Sequence, residues 1–515
     1  MASIRFAAGR PGDDASGHGR IRWRAAARAA EDALPEFLLR HRWYPAKDAG
    51  RPDVKLVEFA PLDCGQCDAA IAVWRVVPPR GQPLQMFVPL ALVPSADAGH
   101  TITTIGNNGE IHAIVDALSL DAFVRAWLGF QLTENSHALG PGVPLVAGRT
   151  GHAFTIEIPN AAIGRGRIEQ SNTSLRISDR AIVKFIRKLE AGPHPELEIG
   201  RYLAAKRFPA TPPLLGWTEF YGAPGDHYTV SLLQEFVPNQ GDGWSWAFER
   251  LTHGITAADQ QAIQQLDQWL QNLARRIAEL HRVFASGRDD PAFRPEPVTT
   301  DDLRNWEAAA ALMADRALDG IGSHQKDGES CPGGANLLSR REALDARLRI
   351  IRDLRTSFSK TRHHGDFHLG QVLVAGEDAI IIDFEGEPLR PLAERRMKHC
   401  VLRDVAGALR SLSYAAATVA HGLPPGIARE ERRHITTELA QWRAKAAADF
   451  VQTYLDAAAG LISLPKSRDQ TITLLKFFVL EKALYEIAYE QANRPDWVAI
   501  PLAGVISLIE NQEAM

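Results

Sequence analysis

The sequence predicts a bilobal α+β protein, with a sheet-rich N-terminal part followed by a mainly helical C-terminal part. Up to about residue 237, short apolar runs alternate with Pro and Gly punctuation, the texture of strands and turns. From Trp244 onward, long stretches keep apolar residues at i, i+3 and i+4, the texture of amphipathic helices. A length of 515 residues fits about three domains or one elaborated two-lobed enzyme. The 45% hydrophobic and 23% charged content is that of a globular chain, which excludes disordered and fibrous classes.

Ala25–Arg40 reads as a short helix after an N-terminal tail with arginines but no apolar core, so no export signal is expected. Runs such as Ala69–Val77 and Gln85–Val93 read as strands of a small β-rich module, closed by a helix over Leu118–Gln131. Gly140-Pro141-Gly142-Val143-Pro144 reads as a linker. Leu175–Ile177 and Ala181–Phe185 make a hairpin around Ser178-Asp179-Arg180, and Pro195–Leu203 has helical spacing. Thr256–Phe284, Gly407–His421 and Thr436–Leu464 read as long helices, interrupted by a β-turn-β patch between Arg362 and Phe384. The expected organisation is a flexible tail (1–21), an N-terminal cap module (22–135), an N-lobe (136–237) and a helical C-lobe (238–515).

Fifty-eight basic against 62 acidic residues give a net charge of −4, with no electrostatic case for nucleic acid or an anionic membrane. Four cysteines cannot form a disulfide framework, and no run is long enough to span a bilayer. A cytoplasmic location is the expectation. Cys64-Gly-Gln-Cys67 lacks a second pair and reads as ordinary thiols.

The chemistry concentrates in His363-His364-Gly365-Asp366-Phe367-His368-Leu369-Gly370-Gln371 and in Ile380-Ile381-Ile382-Asp383-Phe384-Glu385-Gly386. Phosphotransferases of the protein-kinase type need one carboxylate to take the attacking hydroxyl's proton. They also need an amide oxygen and a second carboxylate to hold the magnesium that bridges the phosphates. Gln371 follows Asp366 by five positions, the spacing of base and amide in H-R-D-x-x-x-x-N. Asp383 stands directly behind an apolar strand, and Glu385 takes the place of the glycine in D-F-G, adding an oxygen ligand suited to a hard cation. The histidines lack the helical i, i+4 spacing of a metalloprotease.

Upstream there is no Walker A or G-x-G-x-x-G segment. Gln170-Ser171-Asn172-Thr173-Ser174 is by composition a turn; with the loop downstream, Ser171, Asn172, Thr173 and Ser174 become candidates for cradling phosphate oxygens of ATP. Lys184, between Val183 and Phe185, is expensive to bury unpaired and is the expected phosphate lysine. Glu196 or Glu198 would pair with it, Glu198 being favoured. Leu232–Asn239 is a strand ending in a breaker, where Glu235 and Val237 would offer backbone groups to adenine.

Taken together, these residues resemble bacterial maltokinases, including the maltokinase part of trehalose-synthase fusions. The matching segments are Arg42-Trp43-Tyr44, Gln170–Ser174, Gln234–Trp244, His364–Gln371, Asp383–Pro388, Leu402-Arg403-Asp404-Val405-Ala406-Gly407 and Asn493–Trp497. The resemblance spans residues 35 to 508. It implies a fold like the aminoglycoside phosphotransferases, with a cap module on an ATP-binding N-lobe. It also implies ATP- and Mg2+-dependent phosphorylation of maltose to maltose 1-phosphate for α-glucan synthesis, with a functional link to trehalose synthase. By motif position Asp366 is the base, Gln371 and Asp383 hold the metal with Glu385 beside them, and Lys184 contacts phosphate. His368 and Arg403 join the substrate set. Cys400-Val401 replaces the family's Ser-Pro before Leu402-Arg403-Asp404, and Gly320–Asn336 reads as an inserted surface loop.

Glucosamine kinases share the H-G-D-x-H-x-x-Q loop and the D-x-E, so another small sugar of the same fold is the alternative acceptor. A non-catalytic kinase-fold binding module is a third reading, opposed by the presence of Asp366, Gln371, Asp383 and Lys184. Maltose is favoured by the helix Glu481–Glu490, where Lys482, Tyr485, Glu486 and Tyr489 share a face at i, i+3, i+4 spacing. Two tyrosines one turn apart offer flat faces for a pyranose.

Overall fold

The structure is a computed structural model that describes residues 23–65, 68–94, 99–107, 110–133, 136–140, 143–166, 171–222, 226–326, 333–388 and 390–510. The expected tail, Cys67, Gln170 and the centre of the expected insertion lie outside the described residues. The chain forms two compact units, one ending at Arg207 and including Pro212–Pro238, the other comprising Phe208–Thr211 and the chain from Asn239. The strand-then-helix division is the α+β fold expected.

In the first unit, α1 (Trp23–Leu39) precedes β1 (Asp53–Asp63), β2 (Asp68–Val77), β3 (Leu84–Phe87), β4 (Leu90–Val93), β5 (Thr101–Asn107), β6 (Glu110–Asp116) and α2 (Asp121–Leu132). Then come β7 (Ser136–Gly140), β8 (Val143–Arg149), β9 (Ile163–Arg165), β10 (Thr173–Ile177), β11 (Ala181–Phe185), β12 (Lys188–Leu189), α3 (Pro195–Lys206), β13 (Leu214–Tyr221) and β14 (His227–Glu235). The run expected as one strand over Gln85–Val93 is two, because Pro89 between them has no N–H for a ladder. The expected linker at 140–144 instead contributes to a paired hairpin, Gly140 ending β7 and Val143 opening β8.

One sheet runs β12-β3-β2-β4-β6-β5 with β1 along β2; the other runs β7-β8-β13-β14-β11-β10-β9. Strand β2 is apolar on both faces because both are covered. Ala70, Ala72, Trp74 and Val76 pack with Leu34, Phe37 and Leu38 of α1, while Ile71 and Val73 face α2. That second core is shared by the two sheets. Phe123, Trp127 and Phe130 of α2 join Phe87 and Val115 of the first sheet to Val183, Phe185 and Val230 of the second, and Trp127 Nε1 donates to Ser231 Oγ at 2.9 Å. The β10–β11 hairpin turns on Ser178 and Asp179, both at positive φ (47° and 51°). Three residues, Ser178–Arg180, connect the paired Ile177 and Ala181, and the Arg180 N–H closes the turn on the Ile177 carbonyl at 2.9 Å.

The second unit contains α4 (Gly243–Thr256), α5 (Gln260–Phe284), β15 (Glu296–Pro297), α6 (Thr300–Lys326), α7 (Gly334–Leu338), α8 (Arg341–Arg349) and β16 (Ser359–Lys360). After these come β17 (Val372–Ala375), β18 (Asp378–Ile381), α9 (Leu392–Arg395), α10 (Leu402–His421), α11 (Arg429–Ala457), α12 (Arg468–Asn493) and α13 (Ala499–Ile509). Thr256 closes α4 rather than opening the next helix. Ala258 at φ 52° breaks the run, and Asp259 caps α5 by accepting from Gln261 and Ala262. The β17–β18 hairpin, which frames the candidate loop, is fixed to α5. Arg276 donates to both Asp378 carboxylate oxygens (2.8 and 2.7 Å), and Trp269 Nε1 donates to the Asp378 carbonyl. Cys400 is a buried free thiol. Among the described residues, no helix is long and apolar enough to cross a membrane.

Candidate active site

The loop 363–371 has little regular structure of its own, so its shape must come from what it is bonded to. Three residues on one face of α10, Asp404, Gly407 and Ser411, supply this. The Asp404 carboxylate accepts the N–H groups of His364 (2.8 Å) and Gly365 (3.1 Å). It also meets His281 Nε2 of α5 at 3.1 Å, whose Nδ1 lies 2.9 Å from the Tyr454 hydroxyl of α11. Ser411 Oγ accepts from the Leu369 N–H at 3.2 Å. At Gly407 the loop comes so close that a Cβ would stand 2.1 Å from the Phe367 carbonyl oxygen. Gly365 itself sits at φ +87°, where a side chain would be strained.

Asp404 is 1% exposed. Burial alone would raise its pKa, but the hydrogen bond from His281 and the nearby rings of His363 and His364 outweigh that, holding the carboxyl well below the usual range.

A second clamp ties the loop to the segment carrying Asp383. His364 Nε2 donates to the Ile382 carbonyl at 2.9 Å. A carbonyl can only accept, so Nε2 carries the proton of that bond, while Nδ1 accepts the Asp366 N–H at 3.4 Å. The Ile382 N–H donates to the Gln371 carbonyl at 3.0 Å. Asp383 adopts φ +65°, an uncommon conformation for a non-glycine residue and one typical of functional sites. Carboxylate oxygens of Asp383 and Glu385 lie within 4.8 Å of one another. Two carboxylates this close together are hard oxygen donors, which fits a magnesium ion.

Asp366 is half-buried, with the Lys482 ammonium 3.6 Å from its carboxylate. Both line a cavity of about 50 Å3 together with Glu387, Arg390, Arg403, Glu481 and Tyr485. Arg390 donates to Glu387 at 2.8 Å, and Arg403 is bidentate to Glu481. Tyr485 is partly buried, and burial, joined by a hydrogen bond to Glu387, raises its phenol pKa. Tyr489 lies more open, its ring stacked on Tyr485 with centroids 6.3 Å apart.

Not every expected substrate contact has this placement. Glu486 is buried and ion-paired to Arg410 at 2.8 Å, so it is a structural group and not part of a sugar-facing row. Burial raises its pKa, with Arg410 opposing. His368 caps its own turn, Nδ1 accepting the Gly370 N–H at 3.1 Å; burial lowers its pKa.

In the first unit, Lys184 Nζ donates to Glu196 at 2.7 Å. Glu196 takes the place expected for Glu198: it is 2% exposed at the start of α3, on the side turned to β11. Ser174 pairs with Lys184 across the β10–β11 ladder, which puts both side chains on one face. Ser171 and Ser174 are exposed. Asn172 and Thr173 point the other way, bonded to Arg187. Glu235 carries an ion pair to His152 (2.9 Å). At the strand end before Val237, the Glu235 and Phe236 N–H groups already donate to Pro213 and Arg180.

Sequence reasoning did not assign roles to Asp404, His281, Tyr454, Glu387 or Glu481. The signal available for three of them was a polar residue set on the apolar stripe of a helix, as at Asp404, His281 and Glu481.

A two-lobed chain with this loop defines an enzyme that transfers phosphoryl groups. The sequence profile of the phosphotransferase enzyme family matches residues 165–386. A glucosamine kinase of Mycolicibacterium smegmatis is 30% identical over 347 residues, 67% of this chain and 78% of the relative. A glucosamine kinase of Streptacidiphilus jiangxiensis is 24% identical over 353 residues, 66% of this chain and 72% of the relative. The chain belongs to the phosphotransferase enzyme family. A solved glucosamine kinase in complex with glucosamine, ADP and inorganic phosphate shares its fold, with a TM-score of 0.64 at 19% identity over 94% of this chain and 98% of that one.

Replacing Asp404 with Asn removes the charge that gathers the loop. The expected result is a loss of about 3 kcal/mol of stability at pH 7 with a collapse of turnover, read by thermal melts and initial rates. A carboxyl whose folded pKa is depressed contributes stability above its unfolded value, about 3.9, and loses it as pH falls towards the folded value. Melting temperature should therefore fall from about pH 4 downward in the wild type, and less steeply in the variant. Equal slopes in the two proteins would remove Asp404 from this role.

Gly407→Ala places a methyl against main chain that no side-chain rotation can relieve. Both the melting temperature and kcat should drop, while nucleotide affinity holds. A variant with wild-type kcat would show that the loop and α10 are less closely packed than described.

Proposed function

We propose that the protein is an ATP- and Mg2+-dependent sugar kinase whose acceptor is the small amino sugar glucosamine. The observation that carries this reading is the cavity beside Asp366. It is small and lined by three ion pairs, Asp366–Lys482, Glu387–Arg390 and Glu481–Arg403. Charged groups of both signs this close together suit a small acceptor bearing hydroxyls and one ammonium better than a larger neutral disaccharide. The 30% identical relative named as a glucosamine kinase supports the same acceptor.

On this reading Asp366 accepts the proton of the attacking sugar hydroxyl as its oxygen bonds to the γ-phosphorus and the bond to the ADP oxygen breaks. Lys482 restrains the direction of that carboxylate. Gln371, Asp383 and Glu385 hold Mg2+, which neutralises charge on the phosphates when bound. Lys184, oriented by Glu196, contacts the nucleotide phosphates, with Ser171 and Ser174 beside it. The Glu235 carbonyl and the main chain of Val237 are the groups offered to the adenine.

A maltose acceptor is the second reading, favoured by the stacked Tyr485–Tyr489 pair with Tyr489 39% exposed. Aromatic faces of this kind suit an additional pyranose ring.

Asp366→Asn should lower kcat by about 10²–10⁴-fold and leave ADP affinity near wild type, because the amide keeps the shape but cannot take the proton. Retained turnover would reassign the base.

A panel of sugars with ATP and Mg2+, followed by ADP release, tests the acceptor. Glucosamine should give the highest kcat/KM, and Tyr489→Ala should change its KM by no more than about twofold. A higher kcat/KM for maltose, with a maltose KM that climbs sharply in Tyr489→Ala, would replace glucosamine by the disaccharide.

A further inference from the structure

Arg187 follows Lys184 by three residues, and phosphoryl transfer as derived above makes no use of it. It is nevertheless 2% exposed and bonded on every side. Its Nε donates to Thr173 Oγ1 at 2.8 Å, Nη1 to the Phe87 carbonyl at 3.2 Å and Nη2 to the Asp116 carboxylate at 2.5 Å. The guanidinium lies over the Trp43 ring, 4.5 Å from its centroid. Its own N–H donates to Asn172 Oδ1 at 3.2 Å, and its carbonyl accepts the Phe87 N–H at 2.8 Å.

These partners fall into two groups. Asn172 and Thr173 belong to the segment whose flanking residues, Ser171 and Ser174, stay exposed, with Ser174 opposite Lys184. Trp43, Phe87 and Asp116 belong to the N-terminal sheet and the turn after α1. Asp116 is itself buried, and its other oxygen accepts the Leu118 N–H at 3.1 Å. Immediately after Arg187 the chain leaves the Lys184 sheet and pairs as β12 with β3.

We propose that Arg187 is a positioning residue through which the N-terminal sheet module holds Ser171–Ser174 in place for the nucleotide phosphates. The module then acts as a brace of the nucleotide-binding sheet. A bound phosphate needs donors fixed in advance, and a short polar segment between strands has no internal means of fixing them. Fastening Thr173 to a buried, charge-paired guanidinium and Asn172 to the main-chain N–H of the same residue supplies that rigidity and leaves Ser171 and Ser174 exposed. The proposal rests on the reading that Lys184 and this segment bind nucleotide.

Removing Arg187 outright would strand the buried Asp116 charge and endanger folding, so the test works at the two ends of the brace. Asp116→Asn lies in the module and touches no residue of the segment. Thr173→Val deletes the hydroxyl that Arg187 holds, and Thr173→Ser keeps it. Affinity for a fluorescent ADP analogue is measured without acceptor, and KM for ATP and for the sugar with it.

Asp116→Asn and Thr173→Val should each weaken nucleotide binding by about tenfold, with the sugar KM within about twofold of wild type. Thr173→Ser should restore affinity, and the double variant should be no worse than the poorer single one, since both cut one chain of contacts. Wild-type nucleotide affinity in folded Asp116→Asn, or losses that add in full, would overturn the brace. If Asp116→Asn does not fold, wild-type affinity in Thr173→Val does the same. Lys184→Met separates the underlying reading: unchanged nucleotide affinity there rejects the nucleotide assignment, whereas loss there beside an unaffected Asp116→Asn rejects only the brace.

Discussion

The buried carboxylate of Asp404 is the constraint on which the catalytic half of the molecule depends. A charge at 1% exposure is tolerable only with donors on all sides. Here they come from far apart in the chain: two loop N–H groups some 40 positions upstream and the His281 ring 123 positions away. Satisfying one group therefore brings α5, α10, α11 and the loop to a single point, with Tyr454 closing the line behind His281. The loop's geometry follows from this demand. His364 and Gly365 must present their N–H groups to one carboxylate, which turns Asp366 towards the cavity. Gly407 is what lets the loop lie against the helix closely enough for those bonds to form.

The seam between α10 and α12 applies the same logic to acceptor binding. Its contacts include a ladder of charged and polar pairs, Arg403–Glu481, Arg410–Glu486 and Tyr414–Glu490, at successive levels of two helices. Paired charges of this kind have defined partners and therefore a defined register, which apolar side chains alone specify less sharply. The register decides which residues of α12 reach the cavity: Glu481, Lys482 and Tyr485 do, whereas Glu486 is held by Arg410.

This explains what could and could not be read from the sequence. The β10–β11 hairpin was legible because Ser178-Asp179 encode their turn locally, and the loop and Asp383 segment were legible because their chemistry is set by short spacings. The break at Ala258 was missed because an apolar rhythm continues across it. Glu486 was misassigned because helical spacing defines faces but does not say which partner lies opposite, and Arg410 is 76 positions away. Glu196 and Glu198 are equivalent in sequence; only the packing of α3 on its sheet turns one of them to Lys184. Asn172 and Thr173 were assigned to phosphate because all four residues of that segment are polar. Both are instead taken by Arg187, Asn172 by its main-chain N–H and Thr173 by its guanidinium, a partner that composition does not reveal.

A division of labour follows from these contacts. The groups that would move a proton and hold a metal are fixed by main-chain bonds and by buried charges, so their geometry does not depend on the acceptor. The groups that would recognise the acceptor are a few side chains on α12 and on the segment 387–390, partly open to solvent and joined to the rest by ion pairs. Changing the acceptor in this architecture requires only new side chains on those two segments, whereas changing the reaction requires rebuilding the packing around Asp404. Such an architecture can keep the loop while the acceptor varies, so the loop by itself does not choose between maltose and glucosamine. The charge balance around the cavity, and not the catalytic motif, is the feature that bears on the choice between them.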